Sequence, residues 1–217
     1  MAVATVSARD EILARIERAL RDVPQGERPD DVAVRREYLR SEPVDIVERF
    51  VERIAEYRTT VVRAPGAEVA AAVAERLRAS GASRLAIPDD LPPEWAPDGV
   101  ELVPESELYP KALDGVDGAL TGCALAIAET GTIVLDGGSA QGRRALTLVP
   151  DYHACVVPEE RIVGGVPEAM AVISETLRRH RRPVTLISGP SATGDIEFSR
   201  VEGVHGPRTL DVVVAGA

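Results

Sequence analysis

Lysine is almost missing from this chain: Lys111 stands alone and arginine carries nearly all the positive charge. A phosphate-cradling G-x-x-x-x-G-K-[ST] loop is thereby excluded, because Tyr109-Pro110-Lys111 has no glycine frame. A Schiff-base lysine would have to be Lys111, whose Pro-Lys setting offers no apolar pocket to lower an amine pKa. Cysteine is nearly as scarce. Cys123 and Cys155 are the only two, too few for a disulfide framework, and they point to a reducing compartment. The longest apolar runs, such as Ala124–Ala128 and Ile133–Leu135, fall far short of the ~20 residues that cross a bilayer. Ala8 to Arg21 is too heavily charged to serve as a secretory signal, so the expected location is cytoplasmic. Positive charge is in deficit as well, with 25 Lys and Arg against 35 Asp and Glu. A net charge of −10 repels phosphate backbones and anionic lipids, which argues against nucleic acid and membrane as partners. G-x-S-x-G, G-x-G-x-x-G and H-E-x-x-H are all absent, removing the common hydrolase, dinucleotide and metalloprotease readings.

What is present is enough apolar residue, 45% of 217, to bury one sizeable core. Ser7 can cap a helix whose stripe is Ile12, Leu13, Ile16, Ala19 and Leu20. A polar link from Val23 to Asp31 follows, and helical spacing resumes at Arg35–Leu39 and at Val44, Val47, Phe50, Val51 and Ile54. Residues 1–57 thus read as an N-terminal helical arm and 58–217 as an α/β domain. From Thr59 the period changes. Thr59–Arg63 and Arg84–Pro88 read as strands flanking an alanine-rich helix at Ala67–Ala79, a β-α-β unit that implies parallel strands with a right-handed crossover. Val100–Val103 is a further strand candidate in a proline-rich stretch.

The second half is denser in strand signals. Ala119–Ala128 is apolar on both faces, as a central covered strand should be. Thr132–Leu135 and Ala145–Val149, separated by Asp136-Gly137-Gly138-Ser139, read as an antiparallel hairpin. Strands at Ala154–Val157 and Val184–Ile187, a helix at Val166–Arg179 and a closing strand at Leu210–Val214 complete a mainly parallel, doubly wound α/β sheet.

Chemistry-bearing residues gather at strand ends in this half. Glu129, with Thr130 and Gly131, follows a buried strand, where a carboxylate either has a partner in a cleft or caps a turn in solvent. Ser188 to Glu197 is a strand running into a glycine- and hydroxyl-rich loop; Ser191 and Thr193 can cradle an anion while Asp195 and Glu197 orient a cationic or hydroxyl group, unless the loop merely caps a helix. Gly137 and Gly138 bend the hairpin turn, and Arg144 can reach a cleft as a bidentate anion clamp or stay at a solvated tip. Asp151, His153 and Cys155 share one face of a strand, but without a fourth ligand they make no closed metal site. His205, in a tight Gly-rich loop, is a further ligand-facing candidate.

Four segments carry a resemblance: Ala128-Glu-Thr-Gly-Thr-Ile-Val-Leu135, Pro150-Asp-Tyr-His-Ala-Cys-Val-Val157, Gly189-Pro-Ser-Ala-Thr-Gly-Asp-Ile-Glu197 and Gly203-Val-His-Gly-Pro-Arg208. In order and spacing, over about residues 40 to 217, they resemble the lactate-utilisation protein C (LUD-domain) family. The resemblance implies a fold like that of the NagB, ribose-5-phosphate isomerase (RpiA) and CoA transferase group. It also implies a part in oxidising L-lactate to pyruvate beside iron–sulfur partner proteins. Two cysteines cannot hold a cubane cluster, so no cofactor is expected in this chain and the clusters belong to partners. Glu129-Thr130-Gly131 resembles the segment in which CoA transferases place a nucleophilic glutamate, which makes Glu129 the catalytic candidate. The reading that follows is an accessory subunit binding a small anionic ligand. The alternatives are a stand-alone enzyme acting on an acyl-CoA or phosphosugar, and a metabolite sensor.

Overall fold

The computed structural model describes residues 7–24, 26–28, 31, 33, 45–109, 111–193 and 201–216. The helix expected at Arg35–Leu39 and the candidates Asp195 and Glu197 lie outside the described residues. Two compact units are present, Met1–Tyr38 and Leu39–Ala217. In the first, helix α1 (Ala8–Ala19) starts as its sequence dictates: the Ser7 hydroxyl accepts from the Asp10 N–H, and Glu11 pairs with Arg15 one turn on. Among the described residues no helix is long and apolar enough to cross a membrane.

The second unit includes a helix that precedes the change of period. Helix α2 (Ile46–Ala55) is capped by the Asp45 carboxylate, and it buries Phe50 and Ile54 completely among residues of the sheets. Helical spacing marks a face to be covered but does not say which body covers it.

Six strands, β1 (Thr60–Pro65), β2 (Arg84–Ile87), β3 (Glu101–Pro104), β4 (Gly118–Thr121), β7 (Tyr152–Pro158) and β12 (Thr209–Gly216), form one wholly parallel sheet in the order β1-β12-β7-β4-β2-β3. Its two innermost long strands alternate strictly. Cys155, Val157, Leu210, Val212 and Val214 face one side; Ala154, Val156, Val213 and Ala215 face the other, where Val69, Val73 and Leu77 of helix α3 (Val69–Ser80) cover them. Arg76 of α3 and the Tyr152 hydroxyl both donate to the Asp211 carboxylate, at 3.1 and 3.0 Å, so this buried charge is satisfied. The opposite face is covered by α2 and by a second sheet of β8 (Ile162–Val163), β5 (Leu125–Ile127), β6 (Thr132–Leu135) and β9 (Thr185–Ile187), in that order. Helix α4 (Val166–His180) closes the far side of this sheet through Ala169 and Ile173. Both faces of the parallel sheet are thus covered, the doubly wound α/β arrangement expected. A two-residue ladder of β10 (Ala192–Thr193) and β11 (Val201–Glu202) stands apart.

Three expected elements differ. The single strand read over Ala119–Ala128 is two, β4 and β5, in different sheets; the chain crosses at Gly122-Cys123-Ala124, and apolarity on both faces suits either sheet. The antiparallel hairpin is β5–β6, turning through Ala128–Gly131, and not Thr132–Leu135 with Ala145–Val149. The latter segment is a 3₁₀ turn over Arg144–Thr147, because the edges of β6 are taken by β5 and β9. The closing strand expected at Leu210–Val214 is present as β12, inside the sheet between β1 and β7.

Candidate functional site

After β2 the chain steps outward to β3 and then returns to place β4 on the other side of β2. Crevices form where such a reversal leaves room outside the carboxyl ends of parallel strands. A cleft of about 720 Å³ lies there. Asp89 and Asp90 enter it after β2, Glu105 after β3, the loop 136–144 after β6, and Arg182 just before β9.

The acidic side chains of this cleft hold its walls. Both Asp90 oxygens accept from the Ala140 N–H at 3.0 Å, fixing a non-glycine residue at φ +59. Glu105 accepts from the Arg143 N–H, Asp89 from the Ser106 N–H and hydroxyl, and Asp136 from the Gly138 N–H and Gln141 Nε2. Gln141 in turn accepts from the Asp136 N–H. The arginines face the same space with donors to spare. Arg182 gives one NH group to the Gly137 carbonyl at 3.2 Å, stands 3.6 Å from Asp136, and keeps a buried Nε with no partner among the described residues. Arg143 reaches the Leu108 carbonyl and pairs with Glu105 at 3.8 Å. Arg144 donates to the carbonyl and hydroxyl of Thr147 at 2.6 and 2.8 Å and reaches the His205 carbonyl at 3.4 Å. Its own burial lowers its pKa, since desolvation disfavours the charged form.

Between the sheets lies His153, with 1% of its surface exposed and Nε2 2.8 Å from the Thr121 hydroxyl. The same hydroxyl lies 2.9 Å from the Gly122 carbonyl, so it has more than one partner within reach and the ring's tautomer sets which atom of the His153–Thr121 pair donates. Burial, and then the nearby Arg144 charge, push the imidazole pKa down from 6.5 to about 4. His153 is a neutral, fixed ring at neutral pH. Cys123 and Cys155 share the same interior; the Cys155 thiol is pushed up by its hydrogen bond with Cys123 and by burial.

Chains closely similar to this one are known. A family model for the LUD domain matches residues 103–215. Lactate utilization protein C of Deinococcus radiodurans is 41% identical over 213 residues, covering 98% of this chain and 97% of the relative. The chain belongs to the LUD domain family. Lactate utilization protein C of Geobacillus kaustophilus is 30% identical, with 72% of each chain covered. A solved DUF162 family protein of Deinococcus radiodurans superposes with a TM-score of 0.68 at 38% identity, covering 79% of this chain and 97% of that one. Within this LUD chain the domain match begins in β3 and ends in β12, so it takes in the cleft loop, Arg182 and His153.

The candidates named from sequence fall into separate groups. Gly137, Gly138 and Arg144 line the cleft. Glu129 is exposed, and its carboxylate accepts from the Val166 N–H at 3.3 Å, a cap on the α4 N-terminus. Thr130 belongs to a chain of hydroxyls, Thr130 to Thr132 at 2.7 Å and Thr132 to Ser188 at 2.8 Å. Gly131 has φ +59, and a Cβ there would stand 2.5 Å from the Ile54 nitrogen, so the position seats the end of α2. Thr193 lines a smaller groove with Tyr57, Arg58 and Ser188. Ser191 accepts from the His205 N–H at 3.0 Å, and the His205 side chain is exposed. Asp151 pairs with Arg208 at the surface, while His153 and Cys155 are buried. Among the described residues, then, Glu129 caps a helix, His153 is buried and His205 is exposed, while Thr130 reaches Ser188 through Thr132 and Ser188 lines one groove with Thr193. Sequence reading missed Asp89, Asp90, Glu105, Asp136 and Arg182. A signal did exist for the first three, since each follows the end of a short apolar run capable of being a parallel strand.

Proposed function

We propose that this protein is a component of L-lactate utilisation, acting as an accessory subunit that binds a small anion in the cleft between Asp90, the loop 136–144 and Arg182. The observation that carries the reading is the end-to-end similarity to a lactate utilization protein C, 41% over 98% of the chain. Oxidising lactate to pyruvate removes two electrons and two protons, which some redox centre must accept. The two thiols of this chain are both buried and too few to hold an iron–sulfur cubane. Iron–sulfur partner proteins would supply that centre, and this chain would bind and present an anion beside them. The arginines support this: Arg144 and Arg182 keep positive charge in the cleft while its carboxylates are occupied by protein donors.

Deletion of the gene with growth on L-lactate as sole carbon source, together with affinity purification of the tagged protein, tests the proposal. The expected outcome is loss of growth on lactate but not on pyruvate, with iron–sulfur protein co-purifying. Normal growth on lactate with no such partner would refute it.

A further inference from the structure

The cleft is larger than a hydroxy acid requires. Lactate or pyruvate has six heavy atoms and displaces on the order of three waters, about 100 Å³ at about 30 Å³ each. The cleft measures about 720 Å³, within the range that holds a ligand several times that size.

Its free donors are of a particular kind. The main-chain N–H groups of Gly137, Ser139 and Gly142 have no acceptor among the described residues. Gly137 and Gly142 sit at φ +64 and +65, so the loop turns through left-handed positions, and its unshared N–H groups are interleaved with those of residues 138, 140 and 141, which the protein already uses. A Cβ on Gly137 would meet nothing nearer than the Gly142 carbonyl at 3.6 Å, so packing does not account for the bare backbone there. Beside this loop Arg182, which donates to the Gly137 carbonyl, presents an NH2 group too far from Asp136, at 3.6 Å, for a hydrogen bond. Backbone N–H groups beside a guanidinium suit a tetrahedral anion. It offers three oxygens in different directions, where a carboxylate offers two in one plane. Resting on the reading of the cleft as an anion site, we infer that its occupant carries a phosphoryl group on an organic body larger than a hydroxy acid. The phosphoryl oxygens take the N–H groups of Gly137, Ser139 and Gly142 and the guanidinium of Arg182, and Arg144 adds positive charge.

Isothermal titration of the full chain with ADP, inorganic phosphate, L-lactate and pyruvate tests this. ADP is expected to bind and inorganic phosphate to compete with it, while lactate and pyruvate at millimolar concentration leave ADP binding unchanged. Arg182→Gln should weaken ADP by about tenfold or more, the loss of a charge-assisted contact, with an unfolding temperature near the parent's. If that variant does not fold, amide NMR on the unaltered protein serves: ADP should move the Gly137, Ser139 and Gly142 N–H resonances together. No heat from ADP or phosphate, or ADP binding indifferent to Arg182 with those resonances unmoved, overturns the inference. Lactate or pyruvate binding alone, with the same arginine dependence, also overturns it while leaving the small-anion reading standing.

Discussion

His153 makes acid sensitivity a property of one side chain. The folded protein holds the ring neutral with a pKa of about 4, against 6.5 for the free group. The unfolded chain therefore binds a proton that the folded protein refuses anywhere between those values, and stability falls as pH drops through that window. Above about pH 6.5 the contribution is fully present; below about pH 4 both states are protonated and no more is lost. Integrating the proton difference gives a loss of about 1.4 kcal/mol at about pH 5.5 and about 2.6 kcal/mol at about pH 4.5. The comparison that isolates it is His153→Gln, whose amide can donate to or accept from Thr121 but does not titrate. Urea midpoints for both proteins at a series of pH values share every other titrating group, including Asp117, whose carboxyl is lowered first by the Ser83 N–H and so contributes equally to each. The difference between them should open below about pH 6.5 and reach about 2 to 3 kcal/mol near pH 4.5. Parallel curves would show that the ring is hydrated or protonated in the native state and that Arg144 does not face it.

Gly131→Ala should cost about 2 to 4 kcal/mol, since φ +59 strains alanine and its Cβ would drive into the backbone of α2 at Ile54; the urea midpoint measures it, and a loss below about 1 kcal/mol refutes the close approach. Asp90→Ala removes both acceptors of the Ala140 N–H and should speed amide exchange at Ala140 and Gly142 about tenfold or more, for a global cost of about 1 to 2 kcal/mol. Unchanged exchange there would mean that the loop 136–142 holds its left-handed turns without the carboxylate.

How much was legible depends on whether a signal was local. β1, β2, β3, β7 and β9 were readable because β-branched runs ending in proline or glycine state their own limits. The alanine-rich α3 and the long α4 stated theirs by period. Ala119–Ala128 was not readable as two strands, because burial on both faces looks the same in the middle of one sheet and between two. The Arg144–Thr147 turn was misread for a related reason: an apolar run pairs only if a strand edge is free, and β6 had none left to give.

The site shows the same limit more sharply. Glu129 drew attention because it follows a strand, yet the atom that uses it is the Val166 nitrogen, 37 residues away, brought there by the β5–β8 pairing. Asp90 escaped attention because nothing near it in sequence has a function, while its partner Ala140 lies 50 residues on. Both carboxylates bind main-chain N–H groups, and main-chain donors leave no trace in residue identity. What identity did reveal was the pair Gly137 and Gly138, the first at φ +64, a conformation that side chains resist. The cleft is thus visible in sequence through Gly137, Gly138 and Arg144 and invisible through its acids and Arg182. Asp90 is spent on the Ala140 N–H, while Glu105 and Asp136 each divide their oxygens between the loop's donors and an arginine, Arg143 at 3.8 Å and Arg182 at 3.6 Å.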